Sequence, residues 1–182
     1  MARSQEIKPS RALLRPLLED AAKALCNTDI RCQIQCPAEL SVWVDSERIA
    51  ECLDELIANA RHWYDKPEKT LDFIAVFPVP QPLPSFLDSA AKYVLLHVKD
   101  NGRGIPVANK QKIFDAFFTT YDHGTGLGLA LVRRIIDGHG GGIVESGLAG
   151  QGADFEVYLP CPPDEETAAK DSLLVSKKKR RK

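Results

Sequence analysis

The sequence has no apolar run approaching the roughly 18–20 residues that a membrane-spanning helix needs. Its start is charged and polar, without the apolar core of a secretory leader. These two absences set the expectation of a cytoplasmic protein. Cysteine provides neither a disulfide framework nor a zinc site. Cys26, Cys32, Cys36, Cys52 and Cys161 are odd in number, none forms CxxC, and no second ligand pair lies nearby. The histidines, His62, His97, His123 and His139, are scattered, which disfavours a metal cluster. Basic charge is short in the body of the chain. Residues 1–160 carry 17 Lys/Arg against 21 Asp/Glu, so no basic groove for nucleic acid is visible there.

The common phosphate loops are missing as well. Glycines cluster at Gly102 and Gly104, after Asp100, and again at Gly124, Gly126 and Gly128. Neither cluster runs into the Gly-Lys-Ser/Thr of a P-loop. The dinucleotide fingerprint opens a helix, whereas here Pro106 follows Gly104 within two residues. What remains is a stretch, 100–129, with two glycine clusters around a phenylalanine-rich turn. Glycine lets a ligand approach the backbone closely, so the stretch reads as loops wrapped around a nucleotide.

A chain of 182 residues, 44% apolar and 27% charged, suits one globular domain. We expect a flexible N-terminus over 1–10, the domain over 11–160, and a flexible tail over 161–182 ending in KKKRRK. Leucines and alanines from Leu13 to Leu25 recur at helical spacing and predict a helix over 11–25, with Pro16 at its true start or at a kink. Strands are predicted over 30–36 and 40–44. Asp45 or Ser46 then caps a helix over 47–64 whose apolar stripe is Ile49, Cys52, Leu53, Leu56, Ile57 and Ala60. Glu55 and Asn59, four residues apart, share a face beside that stripe. They form either an ordinary solvent-facing pair or the two ends of one ligand contact. Further strands are expected over 71–77 and 93–99, a helical turn over 113–118, a helix over 125–137 and a hairpin of 143–145 with 155–159. Pro78, Pro80, Pro82 and Pro84 exclude a central strand between the middle two. They make either a rigid hairpin connection or a PxxP recognition segment. The expected architecture is a two-layer α/β sandwich, a mixed sheet with helices on one face.

With these pieces in order, the chain resembles the ATP-binding domain of histidine kinases. That is the Bergerat-fold superfamily shared with type II topoisomerases, the ninety-kilodalton heat-shock chaperone and mismatch-repair ATPases. VWVDSERIAECLDELIANARHW resembles its N-box strand and helix, DNGRGI its first glycine box, IFDAFFTT its F-box, GTGLGLALVRRIIDGHGG its second glycine box, and GQGADFEVYLP its closing strand. The resemblance covers about residues 9–160.

The resemblance implies ATP and Mg²⁺ as cofactors. Asn59 is implied as the Mg²⁺ ligand, and Glu55 as the acidic group that polarises a water or the acceptor region. Asp100 is implied to accept from the adenine 6-amino group. His62, Gly102, Gly104, Ile105, Phe118, Thr119, Gly124, Thr125, Gly126, Leu127, Gly128 and Leu129 are implied to line the nucleotide site. Two positions depart from the family. His62 stands where a lysine or arginine is usual, and Tyr121 where many short-lid kinases have lysine. Activity is then modest, or Arg103, Arg133 or Arg134 compensates. Too few residues precede the first helix for a dimerisation hairpin, so the implied function is phosphoryl transfer to a partner protein or to an acceptor histidine supplied in trans. The alternative is a nucleotide-gated interaction module with slow hydrolysis only. The basic tail is read as a solubilising end, a weak electrostatic contact or an import signal.

Overall fold

The computed structural model describes residues 6–121 and 124–163. His123 and the KKKRRK end lie outside the described residues. A five-stranded mixed sheet carries the fold, in the order β2 (Ile30–Gln35), β4 (Lys69–Val76), β5 (Tyr93–Asp100), β7 (Asp154–Pro160), β6 (Gly142–Glu145). Only the β2–β4 pair is parallel. The helices α1 (Leu14–Ala22), α2 (Ser46–His62) and α3 (Gly128–Gly138) supply the second layer.

Strand alternation sorts the two faces. On β5, Val94, Leu96 and Val98 join the main core with the helices, while Tyr93 and Leu95 point the other way. The main core is closed by Phe73 and Phe155, both fully buried, against Leu14, Leu18, Ile49, Leu53 and Leu56. Asp45 is the cap of α2, its Oδ1 accepting from the Arg48 N–H at 3.3 Å. Glu47 in the first turn and Arg61 with His62 in the last suit the helix dipole. His139 is buried beyond α3. Its Nε2 accepts the Asp45 N–H at 2.9 Å, so its proton sits on Nδ1 and is donated to the Ile135 carbonyl at 2.8 Å. One imidazole thus joins the end of α3 to the start of α2.

Three local expectations are corrected. The first helix does not begin at residue 11. Ser10–Leu13 is a strand, β1, and α1 starts at Leu14, which places Pro16 in the first turn, where its missing N–H is not needed. The strand predicted over 40–44, observed as β3 (Ser41–Val44), stays outside the main sheet and pairs with β1 antiparallel. The third helix starts at Gly128, three residues later than predicted. It buries Val132, Ile135 and Ile136. The first of these has a plain origin: Leu13 falls on the period of α1 although the chain there is extended.

The proline segment connects β4 to β5 as a hairpin connection. It is not simply exposed, because Val79, Leu83 and Leu87 pack against Tyr93, Leu95 and Tyr158 on the sheet face away from the helices.

Candidate functional site

The site begins with the pitch of α2. Residues 55, 59 and 63 follow one another at four-residue steps, and 58 and 62 fall beside them, so Glu55, Ala58, Asn59, His62 and Trp63 make a second stripe next to the buried one. That stripe forms one wall of a cavity of about 470 Å³. The turn after β5 forms a second wall, with Arg103, Gly104, Ile105 and Pro106. Phe118, Thr119, Thr120 and Tyr121, followed by Gly124, Thr125, Gly126, Gly128 and Leu129, close the third. Asn109 and Ile113 complete the lining.

The glycines are where the walls approach most closely. Gly104 lies at φ +68° with the Leu148 carbonyl oxygen 2.5 Å from where a Cβ would stand. A Cβ on Gly128 would meet Glu55 Oε2 at 2.3 Å, which shows how closely the Glu55 carboxylate rests on the first residue of α3. The lid base is folded tightly. Thr119 Oγ1 accepts from the Tyr121 N–H at 3.0 Å and donates to the Tyr121 carbonyl at 3.1 Å, while the Phe117 N–H donates to Gly126.

The structure gathers Glu55, Asn59, His62, Gly104, Ile105, Phe118, Thr119, Gly124, Thr125, Gly126, Gly128 and Leu129 on the cavity wall. It does not put Asp100, Gly102 or Leu127 there. Leu127 is 44% exposed. Asp100 and Gly102 are buried behind the second wall. Asp100 Oδ1 accepts from the Gly102 N–H at 2.8 Å and the Ala153 N–H at 3.1 Å, and Oδ2 takes neither bond. Burial pushes the Asp100 carboxyl up, and the nearby Glu145 adds to the push. The two N–H groups and Lys66 oppose it.

Trp63, Tyr121 and Arg103 frame the mouth. The Arg103 guanidinium lies 3.7 Å from the Trp63 ring centre, Tyr121 stacks on His62 at 4.9 Å, and Tyr121 meets Trp63 edge-on at 6.1 Å. Trp63 as a lining residue was not anticipated, although the 55–59–63 spacing carries that signal. Of the candidate compensating cations, Arg103 borders the cavity. Arg133 is turned inward onto the Phe114 ring at 4.1 Å, and Arg134 is exposed on α3. Cys52 is no nucleophile for the site, since burial pushes its thiol up to about 12.

The sequence pattern of the family described as histidine kinase-, DNA gyrase B- and HSP90-like ATPase matches residues 44–163. The chain belongs to that family. Relatives include the signal transduction histidine-protein kinase AtoS of Escherichia coli, 52% identical over 37% of this chain and 11% of AtoS. The sensor histidine kinase ZraS of Salmonella typhi is 44% identical over 65% of this chain and 23% of its own length. The sensor protein kinase WalK of Staphylococcus haemolyticus is 33% identical over 65% and 19%. The chain therefore spans less than a quarter of these relatives. Among solved structures, the catalytic domain of histidine kinase ThkA superposes with TM-score 0.68 at 27% identity, covering 86% of this chain and 99% of that one. The mycobacterial sensor histidine kinase MprB shares the fold at TM-score 0.69 and 21% identity, over 86% and 100%. This is a histidine kinase-type ATPase catalytic domain with the Bergerat α/β fold. Among the described residues, no helix is long and apolar enough to cross a membrane.

Proposed function

We propose that the cavity binds Mg²⁺–ATP and that the domain, residues 11–160, transfers the γ-phosphoryl group to a protein partner in a cytoplasmic setting. The observation that carries this reading is the α2 stripe, which brings Glu55 and Asn59 into one cavity opposite the glycine-bearing lid. The donor set fits the metal. Mg²⁺ binds through one or two protein oxygens together with substrate phosphates and water. Asn59 would hold the metal, with Glu55 beside it. When bound, Mg²⁺ offsets charge on the phosphates.

The chain's own groups do the rest. Asp100, with Oδ1 fixed by two N–H donors, offers Oδ2 to an exocyclic amino group, which adenine has and which a purine with oxygen at that place lacks. Gly124, Gly126 and Gly128 let the lid follow the phosphates, and the N–H groups opening α3 face them. Glu55 is placed to take a proton at the phosphoryl end. Phe117, at φ +68° and 76% exposed, is held in a conformation that L residues avoid, beside exposed Leu127. An apolar step at that edge suits a docking partner that presents the acceptor.

One observation favours the second reading, a nucleotide-gated interaction module. Tyr121 and His62 stack on each other where the family resemblance implies cations, which weakens the phosphate grip. The two separate in one experiment. ATP labelled at the γ-phosphate is incubated with the domain and candidate partner proteins carrying acceptor histidines. Label on a partner, lost in Asn59→Ala, supports transfer; nucleotide binding with no label on any partner leaves the gated module.

A further inference from the structure

Lys66 belongs to neither glycine box and does not border the cavity, yet its ammonium sits where two turns of the site meet. Nζ donates to the Asn101 carbonyl at 2.8 Å, to Gly150 at 3.3 Å and to Gly102 at 3.4 Å. The first and third of these carbonyls belong to the turn that follows Asp100, and the second to the β6–β7 turn. The two turns are also in direct contact, through the Gly150 N–H to Arg103 and the Asp100 N–H to Ala153. Asn101 pins the same corner from the other side. Its Oδ1 accepts the Thr70 N–H at 3.0 Å and its Nδ2 donates to Glu68 at 2.8 Å. A full positive charge spread over carbonyls from two separate segments holds them more strongly than neutral bonds do.

The charges around this corner are unbalanced without Lys66. Asp100 is buried, and so is Glu145 on the neighbouring turn. Glu145 is already spoken for. Its Oε1 accepts from Gly147 and Asp154, and Oε2 lies 2.8 Å from the Lys110 ammonium, which also donates to Gly147. Among the described residues, Lys110 therefore answers Glu145, and Lys66 brings a positive charge to bear on Asp100. The other titratable group in range is the Tyr64 hydroxyl, which donates to Thr70 and is pushed upward by burial, so it stays neutral.

We infer that Lys66 is a positioning residue for purine selection: it fixes the turn after Asp100 and keeps the Asp100 carboxylate an acceptor, which makes the site choose a 6-amino over a 6-oxo purine. This rests on Asp100 being the group that reads the base. An ionised Asp100 accepts from the 6-amino group and repels a 6-oxo oxygen, whereas a protonated one donates to that oxygen. Burial, first, and Glu145 favour the protonated form; the Ala153 and Gly102 N–H groups oppose it, and the Lys66 charge adds to them. Removing the charge lets protonation begin at a higher pH, and selectivity fails first on the acid side.

The test titrates fluorescent ATP and ITP analogues against the parent chain, Lys66→Gln, Lys66→Arg and Asp100→Asn between pH 6 and pH 8.5. Glutamine keeps a donor for the carbonyls and loses the charge; arginine keeps both. Lys66→Gln is expected to lose more of its ATP-over-ITP preference at pH 6 than at pH 8.5, while Lys66→Arg follows the parent. Preference that is unchanged at both pH values in Lys66→Gln overturns the inference. A loss that is equal at both pH values also overturns it, because that is the mark of structural damage alone. If Lys66→Gln melts too early to titrate, the parent and Lys66→Arg decide: an arginine variant that loses preference below pH 7 sinks the charge argument. Asp100→Asn separates the two levels. If it leaves the ATP-over-ITP preference of the parent intact, Asp100 is not the base reader and the functional proposal for that residue fails; if it abolishes the preference while Lys66→Gln behaves as the parent, only the role of Lys66 fails.

Discussion

The two faces of the central sheet are built by different means. The helix face is covered by three helices whose apolar stripes interlock with Val94, Leu96, Val98, Phe73 and Phe155. The opposite face is covered by a loop, the proline segment between β4 and β5, which seats Leu87 with Val79 and Leu83 over Tyr93, Leu95 and Tyr158. On the first face, rigid elements fix side chains well enough to build a site wall from four positions of α2 and its C-cap residue Trp63. On the second, a separate small cluster seals the sheet, and the cavity proposed for nucleotide takes no residue from it. Periodic elements bring function to one side; the loop side is there to keep the sheet dry.

The sharpest way to break this comparison is to remove one buried side chain from each face. Phe73→Ala on the helix side is expected to cost about 3–5 kcal/mol, because it is fully buried under α1 and α2 and leaves a cavity that rigid helices cannot fill. Leu87→Ala on the loop side is expected to cost nearer 2 kcal/mol, since a loop can collapse onto the space. Urea unfolding of both variants measures the difference. Equal losses would mean that the proline segment is as rigid as a helix layer.

A change at α2 tests whether the helix layer transmits to the site. Asp45→Ala removes the cap of α2 and the acceptor of the Lys8 N–H, and is expected to cost about 1 kcal/mol. Glu55 and Asn59 lie in the middle and last turns of α2, so nucleotide affinity should fall less than twofold. A larger fall in a fluorescent-nucleotide titration would mean that the whole helix shifts when its first turn frays.

The loop side carries its own signature in pH. His97 Nδ1 lies 2.9 Å from Asp154 Oδ1 beneath the proline segment, and that hydrogen bond raises the imidazole pKa against the opposing effect of burial. Glu156 adds to the rise and Lys99 opposes it. A folded-state value above the unfolded one means that the pair stabilises fully below the unfolded imidazole value of about 6.5, and that its contribution fades as pH rises through the raised folded value. Asp154→Asn should therefore lower the melting temperature at pH 5.5–6, with the gap to the parent narrowing as pH rises through the raised folded value. A gap that stays constant with pH would assign Asp154 to the turn rather than to the histidine.

The same contrast explains what could be read from the sequence. The α2 stripe is a period, so Ile49 through Ala60 and the Glu55–Asn59 pair were legible, and the glycine turns were legible because Gly104 and Gly128 have almost no space for a Cβ. Trp63 lay on the same period, within the helix predicted over 47–64, but was not singled out; it stands at the C-cap of α2. β1 was absorbed into α1 because four residues of extended chain are too short to show alternation. The placement of Pro78–Pro84 had no signal at all: prolines say which element a segment cannot join, not which surface it will cover. Lys66 was silent for a related reason, since its partners are backbone carbonyls brought together only by the fold.

The smallest expected effect is at the rim of the loop side. Phe86 is 52% exposed, and its ring meets Tyr158 edge-on at 6.2 Å and lies against Gly142. An aromatic edge contact of this kind is worth about 0.5–1.5 kcal/mol when buried and less when half in water. Phe86→Ser is therefore expected to lose less than about 1 kcal/mol in urea unfolding and to leave nucleotide affinity unchanged, because the ring touches β6 and β7 on the face away from α2. An effect on affinity here, with stability intact, would show that the loop face and the nucleotide cavity are coupled through the sheet, and would remove the division of labour on which the comparison stands.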